Sequence, residues 1–171
     1  MFKIRRVLVT FVAALACSVF TAQAAEAVFT ASMDGAQGVP EPIKTDATGT
    51  VELRLSADGK KISYKVTVDK LLNTAAADLH LGPAGQNGPL VVKLFPHGNS
   101  PKKGLFSGVL ADGSFDASDF VGAMNGAPMS DLVEQLRAGN VYVNVHTNDG
   151  MDPPNSGPGD YRLGEIRGQL K

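Results

Sequence analysis

The segment 50–68 restricts the fold more than any other stretch. In residues 50–56, Val51, Leu53 and Leu55 alternate with Glu52 and Arg54; in residues 61–68, Ile62, Tyr64, Val66 and Val68 alternate with Ser63, Lys65 and Thr67. A period of two sends successive side chains to opposite faces of an extended strand. Between the two runs stands Ala57-Asp58-Gly59-Lys60, and Asp-Gly tolerates the positive φ of a tight hairpin turn. The segment therefore reads as an antiparallel hairpin with one apolar face.

Much of the remaining chain has the same character. Further short runs lie at 77–81, 90–95, 104–110, 141–147 and 163–170, with Gly- and Pro-rich turns between them. This spacing predicts an all-β domain, an antiparallel Greek-key-like sandwich or barrel. One short helix is expected over 131–138. Ser130 is placed to cap it, Asp131 to meet the positive end of its dipole, and Gly139 to stop it, while Leu132, Val133 and Leu136 form one apolar face. Residues 151–160, with Pro153, Pro154, Gly157, Pro158 and Gly159, read as a loop. Neither a repeat nor a linker interrupts residues 25–171, which are read as one domain.

The first 24 residues read as a secretory signal. Lys3, Arg5 and Arg6 precede an apolar run at 7–20, and Ala22-Gln23-Ala24 offers a small-x-small cleavage site after Ala24. The alternatives are an uncleaved anchor, for which the run is shorter than the ~20 residues that span a bilayer, and a lipoprotein modified at Cys17, for which Ala14-Leu15-Ala16 is a poor signal. Cleavage would remove the single cysteine, so the mature chain would carry neither disulfide nor thiolate. It would leave 13 basic residues against 17 acidic ones, a formal charge of −4. An acidic balance argues against a nucleic-acid partner, and no later segment is apolar enough to cross a membrane. The expected location is extracytoplasmic, periplasmic or secreted.

Chemistry is confined by the presence of only three histidines. If residues 77–81 form a strand, Ala77, Leu79 and Leu81 face the core, and Asp78 and His80 share the outer face. In residues 141–147, Val141, Val143 and Val145 face the core, and Tyr142, Asn144 and His146 share the polar face. Adjacent strands would bring Asp78, His80 and His146 together, and two imidazoles with a carboxylate suit zinc or copper rather than calcium or magnesium. The competing reading is of solvated or hydrogen-bonded outer-face histidines. His97, in Pro96-His97-Gly98-Asn99, reads as a surface loop residue that could add a fourth ligand. There is no Gly-x-Ser-x-Gly elbow and no mature cysteine for nucleophilic catalysis. No spacing singles out a glycosidase pair among the carboxylates. The glycine-rich segment 82–89 does not open a helix and reads as a rigid loop rather than a phosphate cradle.

Three ordered motifs carry a family resemblance. Residues 77–89, Ala-Asp-Leu-His-Leu-Gly-Pro-Ala-Gly-Gln-Asn-Gly-Pro, resemble the A-H-I-H-x-G-P-A-G-x-x-G-P motif of the CHRD family. Residues 136–147 resemble its L-x-x-G-x-x-Y-V-N-V-H-T segment, and residues 164–170 its closing G-E-I-R-G-Q-L. The opening 29–42, with Gly35 and Val39-Pro40, is similar to the usual start of the domain. The resemblance implies an all-β, Greek-key-like sandwich, export in bacteria, and no general catalytic activity. It also implies that His80 and His146 match recurrent family histidines that look like a metal site. The chain departs from the pattern at Asp78, where the family has the first histidine of H-x-H. That exchange weakens the case for a three-histidine copper site and leans the set towards zinc, because a carboxylate is the harder ligand.

Glu165 and Arg167 in the closing motif are expected either to form a surface ion pair or to hold the imidazole of His146. The leading functional expectation is an exported, non-enzymatic CHRD-type binding or structural domain, with a metal ion or an extracellular protein as possible partner. The alternative is a periplasmic copper or zinc binding protein using His80, His146 and Asp78. A hydrolytic enzyme comes third and would require a deep cleft at Glu165 or Asp78.

Overall fold

The computed structural model describes residues 27–96 and 102–171. The expected signal segment 1–24 and His97 lie outside them. The elements in order are β1 (Val28–Asp34), β2 (Thr48–Leu55), β3 (Lys61–Leu81), β4 (Leu90–Phe95), β5 (Lys102–Asp116), α1 (Met129–Arg137), β6 (Val141–Thr147) and β7 (Ile166–Gln169), with three short 3-10 turns at 35–37, 117–119 and 122–124. The fold is all-β with one short helix. Of the two arrangements the alternation allowed, it is the barrel.

Five strands close that barrel in the order β1-β2-β3-β6-β7. β1 and β7 meet at Asp34 and Arg167, and the backbone of Thr30 exchanges hydrogen bonds of 3.0 and 3.2 Å with Lys171 just beyond β7. β4 and β5 are additional strands, both paired with β3. The interior holds the residues that the alternation turned inward: Leu53, Ile62 and Val66 from the hairpin, and Leu79, Val143 and Val145 from the later strands, each 0% exposed. Tyr64 is only half-buried, and its hydroxyl donates to the Leu94 carbonyl at 2.9 Å, tying β3 to β4.

β3 departs most from the sequence expectation, since 61–68 and 77–81 are two parts of one 21-residue strand. Its first part pairs with β2 and its second with β6, so β3 must bend to serve both sides of the barrel. The bend lies between Val68 and Thr74, where the register with β5 shifts twice and Lys70 and Asn73 adopt φ of 53° and 50°. Such bulges re-aim a strand without ending it, and so no turn signature marks the place.

The helix starts two residues earlier than expected. Pro128 is its N-cap residue, and Ser130 lies inside the first turn, its hydroxyl on the Asp131 carboxylate at 3.2 Å rather than on a helix N–H. Proline suits a helix start because it offers no N–H to be left unpaired. Gly139 follows the helix at φ 70°, a left-handed stop. Leu132 and Leu136 enter the common core.

Candidate metal centre

Asp78 and His80 lie on the second part of β3, and His146 on β6, its neighbour. The register sets Ala76 opposite His146, Asp78 opposite Asn144 and His80 opposite Tyr142. Asp78 is thus diagonal to His146, within the reach of side chains on one sheet face. The structure brings all three together: one ligand atom from each lies within 4.8 Å of the others.

This face is not the solvated outer face that the alternation suggested. Asp78 is 1% exposed and Tyr142 2%. The loop 82–89 and the segment 148–165 fold back over these strands and take their hydrogen bonds from them. Gly88 is the pivot of the first. A Cβ there would collide with the Leu81 carbonyl, and this close approach of glycine backbone puts the Gly88 carbonyl 3.0 Å from His80 Nδ1 and the Gly88 N–H 3.0 Å from the Tyr142 hydroxyl. From the second segment, the Arg162 carbonyl lies 2.9 Å from His146 Nδ1.

These two carbonyls decide the chemistry of the imidazoles. A carbonyl can only accept, so each Nδ1 carries the proton and each Nε2 of a neutral ring presents a lone pair. Both Nε2 atoms are buried and neither has a hydrogen-bond partner. His146 Nε2 stands 3.3 Å from Asp78 Oδ2, an ion-pair distance that lacks the alignment of a hydrogen bond. Burial holds the His80 pKa below its ordinary 6.5, against the opposing pull of the Gly88 carbonyl and the Asp78 charge. His80 also stacks on Tyr142, centroids 5.0 Å apart and planes 12° from parallel. At neutral pH the site therefore directs at least one orphaned nitrogen lone pair towards a carboxylate oxygen and a second imidazole.

A transition-metal cation fits this donor set. Two nitrogens and one carboxylate oxygen match zinc or copper and give calcium or magnesium too few oxygens. Bonds of ~2.0–2.1 Å to a tetrahedral ion separate neighbouring ligand atoms by roughly 3.3 Å, the spacing already present between Asp78 and His146. The three residues open onto a cleft of about 350 Å³, lined further by Ala75, Ala76, Leu90, Thr147, Asn148 and Arg162.

Glu165 and Arg167 do something other than either expectation. They form no surface ion pair: Glu165 is 1% exposed and Arg167 4%. The Glu165 carboxylate accepts from Thr45 Oγ1 and Thr147 Oγ1 at 2.6 Å each and from the Gly159 N–H at 2.8 Å. Arg167 donates to Gln86 O at 2.7 Å and to Asn87 Oδ1 at 3.0 Å, and lies 3.5 Å over the Tyr142 ring. Neither hydrogen-bonds to His146, whose Nδ1 is held by the Arg162 carbonyl instead. Each anchors a covering segment: Glu165 the stretch before β7, Arg167 the loop 82–89. A two-residue spacing on a strand reveals a shared face, but it cannot reveal that the face is covered. Tyr142, stacked on His80 and bonded to Gly88, is a further functional residue of this face, and its Tyr-x-x-x-His spacing is the sequence signal for it.

The model of the CHRD domain matches residues 29–154, which include all three candidate ligands. The matched span ends before residues 164–170, so β7, which completes the barrel, lies beyond it. No curated protein and no solved structure matches the chain. No helix among the described residues is long and apolar enough to cross a membrane. With the family model covering most of its length, the chain belongs to the CHRD domain family, whose members are in general non-enzymatic binding domains of extracellular or secreted proteins.

Proposed function

We propose that this protein is an exported, non-enzymatic CHRD domain that holds one transition-metal ion, zinc in preference to copper, through Asp78, His80 and His146. The family match carries the non-enzymatic domain type, and the metal rests on geometry alone. The observation that bears it is the pair of buried Nε2 atoms without hydrogen-bond partners, each with its Nδ1 committed to a backbone carbonyl, beside the Asp78 carboxylate. Burying polar atoms unpaired is costly, and a divalent cation would satisfy both nitrogens. The carbonyls of Gly88 and Arg162 serve the outer nitrogens in the way that supporting groups orient metal-bound imidazoles. Export is supported by the basic, apolar and small-residue pattern of residues 1–24.

The test is elemental analysis of the protein purified without a histidine tag, loaded with zinc or copper and dialysed. The expected result is close to one equivalent retained, lost in both His80→Ala and His146→Ala. Wild-type protein that retains only a trace after loading would sink the reading.

A further inference from the structure

We propose that a second cleft on the same face, beside Arg167, is a binding site for a carboxylate. This site does not rest on the metal reading, since none of its residues is a candidate metal ligand. The cleft has a volume of about 230 Å³ and lies between the strap 38–43 and residues 161–167, with Asn87 and Asn144 beside the guanidinium. Val39, Pro40 and Leu163 give it apolar walls. Leu163 is 83% exposed, an aliphatic side chain held out to solvent at the edge of the cleft.

The case turns on the charge of Arg167. Its side chain is buried, yet the acceptors it donates to, Asn87 Oδ1, Gln86 O and Pro83 O, are all neutral. No carboxylate among the described residues pairs with it. The one buried carboxylate in the cleft, Glu165, has both oxygens occupied by Thr45, Thr147 and Gly159. Glu41 is exposed. Burial accordingly pulls the Arg167 pKa below its ordinary value, with no carboxylate opposing the shift. A buried cation without a counter-ion is costly, whereas an anion entering the cleft would supply one. Guanidinium has five N–H donors, and its planar fork matches a carboxylate; the three bonds named leave two donors over.

The cleft is smaller than the ~300–1,000 Å³ usual for drug-sized ligands. It suits a small acid with an apolar body or the C-terminal residue of a peptide. Both offer the same chemistry, a carboxylate beside an apolar group. A purely structural Arg167, one that only ties the loop 82–89 to β7, would show no preference for an acid over its amide.

That preference is the experiment. Protein produced from the full chain is titrated, with backbone amide resonances observed by NMR, using phenylacetate against phenylacetamide and the peptide Ala-Ala-Phe against its C-terminal amide. Saturable shifts are expected at Asn87, Asn144 and Leu163, with the acid binding at least about tenfold more tightly than its amide, as a charge-assisted bond requires. Tighter binding of phenylacetate identifies a free acid as the ligand type, and tighter binding of the peptide a chain terminus. Leu163→Glu alters an exposed side chain outside the hydrogen bonds of Arg167, keeps the fold, and should weaken the acid by about tenfold or more through repulsion. Equal binding of acid and amide, or no saturation with either acid up to about 10 mM, overturns the proposal.

Discussion

The two parts of β3 obey the same alternation and meet opposite fates. In the first part, Ser63 and Lys65 point away from the core and are exposed, beside Arg54 and Glu52 of β2, which pair at 2.7 Å in open solvent. In the second part, Asp78 also points away from the core, yet it is buried and His80 is half-buried. The strand and its period are the same; what differs is the chain that returns over it. Loop 82–89 and segment 148–165 roof the second part and are fastened there by Tyr142, Glu165 and Arg167. A polar side chain on a covered sheet face must find a specific partner, while one on an open face finds water. The candidate site is where the cover is, and the open part shows only ordinary surface chemistry.

The contrast is broken most forcefully at Glu165. Glu165→Ala leaves the hydroxyls of Thr45 and Thr147 and the N–H of Gly159 without their acceptor. At roughly 1–3 kcal/mol for each buried unsatisfied group, the loss of stability should be about 3 kcal/mol or more. Urea unfolding measures it, and a loss below about 1 kcal/mol would mean that the carboxylate does not fasten the cover.

Asp78→His comes next, because it restores the family histidine at the covered face. A third imidazole in place of the carboxylate should move the relative affinity from zinc towards copper by about tenfold or more, as read by competition against a chelator of known affinity. An unchanged ratio would remove Asp78 from the ligand set.

A smaller effect is expected from pH. The pKa of His80 is lower in the folded protein than the ordinary 6.5, so on acidification the unfolded chain takes up the proton first. The metal-free protein should therefore keep this share of its stability above pH 6.5 and lose it as pH falls from there through the folded value. Urea midpoints at about pH 7.5 and about pH 5.5, compared between wild type and His80→Asn, isolate the contribution. A pH dependence that is identical in the two proteins would show that His80 is not held neutral by its surroundings.

The smallest effect belongs to the open part. Glu52→Ala should change stability by no more than about 0.5 kcal/mol, because an exposed ion pair is screened by water. A larger loss, in the same unfolding measurement, would erase the distinction between the two parts of the strand.

By itself, the sequence determined the side-chain periodicity, and with it most of the core. Val51, Leu53, Ile62, Leu79, Val143 and Val145 could be assigned inward because alternation is a local property of an extended chain. The same periodicity set Asp78 with His80 and Tyr142 with His146. The family resemblance pointed to both histidines and to the departure at Asp78. Tertiary structure alone decided that β3 is one bent strand, since bulges leave no turn signature. It also decided that β3 and β6 are neighbours in the register that gathers the three candidate ligands. Above all, it decided that the face is roofed, because the roof is made by long-range bonds such as Arg167 to Gln86 and Glu165 to Thr45. Burial and tautomer follow from those partners, and no local pattern of residues encodes which distant carbonyl will meet an imidazole.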